Sequence, residues 1–207
     1  MEATYRTKAI ILDRQPCAEN DSRVIAYSWD RGKLELTARG AAKLSSKLAG
    51  HLEPFNLVEL MVVVGRGADY AGAADNLSAA GDLKNNLDKI SAGGYLLALY
   101  KKLIKPGESD KKIFLLLAQF IYWLNAIEAS RLYYQTIAHL AAWKLLHLLG
   151  LADNSLLEAD CPVAVSNRLR QFARGDFVIN LKNLKINASE AASLVKYLNR
   201  LVTALAG

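Results

Sequence analysis

Near residue 80 the spacing of the apolar residues changes from alternation to a helical period, and that change divides the chain. Before it come short runs of β-formers. "YRTKAIIL" (5–12) is closed by "DRQP", where Pro16 is expected to end any pairing. Residues 22–29 form a second run, and "DRGK" (30–33) supplies a turn with Gly32 at the positive-φ position. From 33 to 39, Leu34, Leu36 and Ala38 face one way, while Lys33, Glu35, Thr37 and Arg39 face the other. That second face is expected to meet solvent or a ligand.

The stretch 41–52 has helical composition. "FNLVELMVVV" (55–64) is the strongest strand candidate, "GRGAD" (65–69) a turn, and "YAGAADN" (70–76) a weaker strand. Three strands, a short helix and two strands make the order of an oligonucleotide/oligosaccharide-binding (OB) barrel, five-stranded and Greek-key. An SH3-like barrel shares the strand count but usually lacks the inserted helix. The expected fold class is therefore α+β, a five-stranded barrel over 1–80 followed by an α-helical domain over 81–207.

In that second part Gly81, Gly93 and Gly94 loosen the start. A helix beginning near Tyr95 is stopped by Pro106-Gly107, others are expected over 110–128 and 131–149, and Gly150 is a C-terminal cap signal. "NASE" (187–190) is a capping box opening a last helix, whose apolar stripe runs from Ala191 to Leu205. Between them "NRLRQFARG" reads as a short helix and "DFVINL" as extended. The longest apolar run, "IFLLLAQFIYWL" (113–124), is shorter than the roughly 20 residues a bilayer needs. No apolar signal core opens the chain, and a soluble, cytoplasmic protein is expected.

Charge is informative by its distribution. Residues 1–80 hold ten Lys or Arg and ten Asp or Glu; residues 81–207 hold sixteen and ten, so the whole net charge of +6 lies there. Yet no Asp or Glu lies between Leu36 and Leu52, where Arg39, Lys43 and Lys47 fall. Phosphates need cations spaced along a path without competing carboxylates. With Arg31 and Lys33 these residues would make one cationic rim, although an ordinary solvated loop carries the same charges. Tyr27 and Trp29 read as core packing rather than stacking platforms.

A second cluster, Lys101, Lys102, Lys105, Lys111, Lys112 and Arg131, lies among Leu103, Ile104, Tyr133 and Tyr134. Cations beside apolar pockets suit acidic-aromatic peptide tails, and solvated helix ends are the plainer account. Arg168, Arg170 and Arg174 form a third basic group on one short helical stretch. His139 and His147 are eight residues apart on one helix with no carboxylate at ligand spacing, Cys17 and Cys161 form no metal or disulfide pattern, and "GRGADYAG" lacks a phosphate loop's ending. Catalysis and metal binding are not expected.

The motifs "TKAIIL" (7–12), "END" (19–21), "RGKL" (31–34), "ARGA" (38–41), "LEPF" (52–55) and "GRG" (65–67), in this order and spacing, resemble the N-terminal domain of the RecO recombination-mediator family. The helical part is similar more loosely, through the segment from Arg131 to "LLHLLGLA" (145–152). The resemblance implies an OB barrel followed by a helical domain, without catalysis. It implies binding of single- and double-stranded DNA, annealing of complementary strands, and help in loading RecA onto strands coated by single-strand-binding protein (SSB). The implied partners are RecR and the acidic C-terminal tail of SSB. Arg31, Lys33, Arg39, Lys43 and Lys47, with Arg168 and Arg170, become the DNA-contact candidates. Lys101, Lys102, Lys105, Arg131 and Tyr134 become the tail-docking candidates. Where many members carry four zinc-binding cysteines only "DCP" (160–162) stands, so no cofactor is expected. A generic single-strand binder and a protein–protein adaptor without DNA contact are the rival readings.

Overall fold

The computed structural model describes residues 3–17, 19–43, 45–152 and 161–206. The chain divides into two compact units: residues 1–81 with 100–114, and residues 82–99 with 115–207. The first unit thus reaches past the expected boundary near residue 80 and takes back a later segment.

The first unit is a closed five-stranded barrel of β1 (Thr4–Pro16), β2 (Ser22–Ser28), β3 (Gly32–Ala38), β4 (Leu57–Val63) and β5 (Asp69–Ser78), with the five-residue helix α1 (Lys47–His51) between β3 and β4. Around the barrel the order is β1-β2-β3-β5-β4, closed by β1 against β4, and only β3–β5 is parallel. This is the strand order and helix placement expected of an OB fold. Alternate residues fill the interior: Ala9 and Ile11, Val24 and Ala26, Leu36 and Ala38, Val58, Leu60 and Val62, with Ala71 and Ala74. β1 runs beyond its expected end at Leu12, and Pro16 ends it as expected. A register shift between Ile11 and Asp13 carries pairing on to Pro16, opposite Ser22. Proline is tolerated there because it is the terminal residue of the strand.

Ala9 through Leu12 are all buried, so part of β1 is covered on both faces. Outside the barrel, Tyr27 stands beside Ile10 across the β1–β2 pair. Its ring meets Tyr100 edge-on at 5.7 Å and stacks with Phe114 at 6.4 Å. Both come from the returning segment, which holds the end of α3 (Leu87–Leu103) and the first turn of α4 (Lys111–Ala126). The fully buried Tyr100 hydroxyl donates to the Ile113 carbonyl at 2.8 Å, tying these two helix ends together. At the β2–β3 hairpin, Gly32 has φ +68°, and a Cβ there would lie 2.2 Å from the Glu108 carbonyl oxygen. Two reasons, conformation and space, therefore require glycine.

The second unit contains α2 (Gly81–Lys84) from Asp82 onward, α5 (Arg131–Leu148), α6 (Val163–Arg174), α7 (Phe177–Lys182) and α8 (Ala188–Ala206), besides the remainders of α3 and α4. α5 is its centre, buried at Tyr134, Ile137, Ala138, Leu140, Ala141, Ala142, Trp143, Leu145 and Leu146. Trp143 Nε1 donates to the Leu169 carbonyl at 2.9 Å, and Lys144 Nζ to that of Ala173 at 2.7 Å, fixing α6 on α5. His139 bridges to Asn199 of α8 at 3.0 Å. Gly150 takes φ +70° after α5, and Asn187 accepts the Glu190 N–H at 2.9 Å, as the cap signals lead one to expect. Two expectations fail. Gly93 and Gly94 lie inside α3, which starts at Leu87 because Asn86 accepts the Asp88 and Lys89 N–H groups. "DFVINL" is the helix α7, since Asp176 caps it by accepting the Ile179 N–H at 2.9 Å. Residues 153–160, including Asp160 of "DCP", lie outside the described residues.

Replacing Tyr100 by Ala should destabilise the protein by about 3–5 kcal/mol in denaturant unfolding, as buried aromatic truncations do. Burial raises the hydroxyl pKa values of Tyr27 and Tyr100, and that of Tyr95 to about 12, from an ordinary 10.0. The folded state thus favours the protonated phenols. Their contribution is undiminished below the unfolded pKa and is lost as pH rises through the folded values. Alkaline titration should accordingly show phenolate absorbance from these three at higher pH in the folded protein than in the unfolded chain.

Candidate nucleic-acid interface

After β3 the chain must turn sharply, and Gly40 does so with φ +66°. The following loop is held by groups from β1, β2 and the turn between them. Asp21 Oδ1 accepts the Gly40 N–H at 2.8 Å, and the Asn20 carbonyl accepts the Ala42 N–H at 2.9 Å. Arg14 spreads its guanidinium beneath the loop: Nη2 donates to the Ala41 carbonyl at 2.9 Å, Nη1 to that of Ala49 at 2.7 Å, and Nε to Ser22 Oγ at 3.3 Å. Internal bonds from Lys43 N to the Gly40 carbonyl and from Ser46 N to that of Lys43 complete the turn. Every polar anchor is directed inward, so Arg39, Lys43 and Lys47 are left exposed.

The Arg39 guanidinium carbon lies 4.0 Å from the centre of the Tyr70 ring. Tyr70, the second residue of β5, pairs with Thr37 of β3 and Val63 of β4. These two residues, with Leu48, Val63, Ala71 and Gly72, line a cleft of about 280 Å³. A cation over a half-exposed ring, with two lysines on the adjoining loop, can pair with phosphates while the ring accepts a base face.

The five residues expected on one rim are not together. Arg31 sits at the β2–β3 tip, the far end of β3 from Arg39, with its guanidinium 4.7 Å from the Tyr5 ring centre. The seven residues of β3 separate them, an extended span of roughly 26 Å. Lys33 is not at the surface: it is 8% exposed, and its Nζ donates to the Lys101 carbonyl at 2.7 Å. The reason is local. The outward face of β3 at this point is covered by the returning segment, where Gly107 N donates to the Lys33 carbonyl at 3.1 Å.

Among the other candidates, Arg168 of α6 donates to the Lys185 carbonyl at 2.7 Å and lies 3.6 Å from Glu190, holding the link into α8. Arg170 is exposed, in weak contact with Asn167 of its own helix. The tail-docking set is divided. Lys101, Lys102 and Lys105 belong to the first unit, and Lys101 is paired with Asp13 at 2.7 Å. Arg131 and Tyr134 belong to the second. Arg131 is exposed, 3.8 Å from Asp88. Tyr134 is 1% exposed, and its hydroxyl takes the Ala129 N–H at 2.8 Å, so it is a core residue and not a docking contact. Its neighbour Tyr133 is half-buried. Sequence reading missed Arg14 and Tyr70 and did not give Asp21 its role. The acid-bearing "END" and the tyrosine after the "GRGAD" turn were the available signals; nothing in the sequence marks Arg14 as a tether.

The family model for the N-terminal part of Recombination protein O matches residues 1–74. Curated relatives are DNA repair proteins RecO. That of Roseiflexus sp. (strain RS-1) is 34% identical over 125 residues, 60% of this chain and 44% of that protein. The protein of Desulforamulus reducens is 32% identical over 113 residues, 55% and 44%. That of Gloeothece citriformis is 30% identical over 152 residues, 73% and 53%. The chain spans about half the length of these relatives. Residues 1–74, which carry β1 to β4 and most of β5, therefore belong to the RecO N-terminal family, and the similarity to RecO proteins continues beyond them.

Proposed function

We propose that the chain acts in bacterial DNA repair and recombination as a RecO-type mediator without catalytic chemistry. It binds single- and double-stranded DNA, anneals complementary strands, and works with RecR to load RecA onto SSB-coated single strands. The observation that carries this is the loop bearing Arg39, Lys43 and Lys47. It is free of carboxylates, pinned by Arg14 and Asp21, and set beside the Tyr70 ring. Contacts of this kind hold the sugar–phosphate backbone and stack on any base, so binding is insensitive to sequence. That suits a protein that must act on arbitrary strands. Arg170 is a further contact candidate in the second unit. The acidic SSB tail is assigned to the surface led by Arg131 and Tyr133, which would bring the protein to coated strands in the bacterial cytoplasm. Lys102 and Lys105 lie in the other unit and are not needed for that surface.

Replacing Arg39, Lys43 and Lys47 together by Ala should flatten the log–log salt dependence of single-strand binding by about two units, at ~0.7 per phosphate. An unchanged slope would place the DNA elsewhere, and binding of an SSB-tail peptide without any DNA shift would make the chain an adaptor. Tyr70→Leu should cost about 1–3 kcal/mol of single-strand affinity, the worth of one stacked base.

Arg14→Met removes no proposed DNA contact, yet it frees the carbonyls of Ala41 and Ala49 from a charged donor. It should cost ~2–3 kcal/mol of stability in denaturant unfolding. It should also weaken DNA binding while leaving the salt slope nearly intact, because all three cations are still present.

A further inference from the structure

We infer that the first unit holds a second single-stranded nucleic-acid segment, at the β2–β3 tip. This rests on the reading that the Arg39 cleft holds the first. The hairpin tip is docked on the link between α3 and α4: Pro106 bridges to Lys33, Gly107 N donates to the Lys33 carbonyl, and Gly32 lies against the Glu108 backbone. This brings Arg31 beside the segment that carries Lys105, Lys111 and Lys112, all exposed.

Two aromatic rings here carry a cation. Lys111 Nζ lies 5.4 Å from the centre of the half-buried Trp29 ring, which Phe114 supports edge-on at 5.3 Å, and Arg31 lies over Tyr5. Lys8 adds another exposed cation on the neighbouring strand, where the Trp29 backbone N–H donates to the Lys8 carbonyl at 2.9 Å. Three exposed carboxylates lie among the five cations Lys8, Arg31, Lys105, Lys111 and Lys112, so the surface keeps a net cationic excess of two, and each carboxylate also serves a hydrogen bond of the fold. Asp30 accepts from the Thr7 hydroxyl, Glu108 from Lys105 N at 3.3 Å, and Asp110 from Lys112 N at 2.6 Å. Ring faces alternating with cations match the alternation of base and phosphate along a single strand. An acidic peptide offers the charges without a planar group at each repeat.

The consequence is mechanistic. The two surfaces stand at opposite ends of one seven-residue strand. One rigid barrel can therefore hold two strands at once, which is what annealing requires, and pairing becomes a reaction at high effective concentration.

The test counts oligothymidylates of about ten nucleotides, a length one barrel can cover, bound to the full chain by native mass spectrometry. The wild type should bind two. Lys105→Ala, Lys111→Ala and Lys112→Ala together should bind one and anneal complementary strands roughly tenfold more slowly. The Arg39, Lys43 and Lys47 triple variant should also bind one. A single equivalent in the wild type, lost only in the Arg39 triple variant, overturns the second surface and leaves the first. A single equivalent lost only in the Lys105 triple variant removes the first reading instead. Loss of an acidic, Phe-containing peptide from the Lys105 triple variant with the oligonucleotide count still two would overturn the inference in favour of a peptide site.

Discussion

Alternation along β3 decides what every cation near the barrel can do. One set of its side chains must fill the interior, so all charged residues fall on the outward set, and their fate depends on what covers that face. At the Gly32 end the segment 100–114 lies over the strand. Lys33 is there turned from a surface charge into an internal donor, matched to the free carbonyl at the end of α3. At the Ala38 end nothing from that segment intrudes, and Arg39 meets Tyr70 and solvent. One strand thus carries a structural lysine and an exposed arginine six residues apart, distinguished only by their cover.

A cationic loop without acids repels itself and needs a scaffold. Here that scaffold is itself charged: the Arg14 guanidinium satisfies the Ala41 carbonyl of the loop and the Ala49 carbonyl of α1, and Asp21 satisfies one loop amide. Hydrogen bonds to charged groups contribute more than neutral ones, and both tethers spend their charge on backbone atoms, not on the exposed side chains. The loop is thereby ordered without a carboxylate in its own sequence.

Much of the barrel was legible because period-two alternation and a turn glycine are local signals; Gly32 falls where the β2–β3 hairpin must reverse. The inserted helix and the caps at Asn187 and Gly150 are equally local. What could not be read depends on distant chain. Lys33 and Arg39 are equivalent in the alternation of β3, and only a segment about seventy residues later separates them. Tyr134 and Tyr133 are adjacent in sequence, but the packing of α5 buries the first and leaves the second half-open. In α7 a local cap outweighed the β-forming composition of "FVIN". The loop cations stand out in the sequence by the absence of acids around them, whereas Arg14 and Asp21, which hold the loop, carry no periodic mark.

The return of residues 100–114 to the barrel also bears on how this domain could be moved between proteins. A cut placed after Gly81, where the strands end, would leave Ile10 and Tyr27 without the aromatic wall formed by Tyr100 and Phe114. The bared flank would be an apolar patch inviting self-association. A transplant that keeps the barrel well behaved has to carry residues 100–114 with it, even though they lie some twenty residues beyond the last strand.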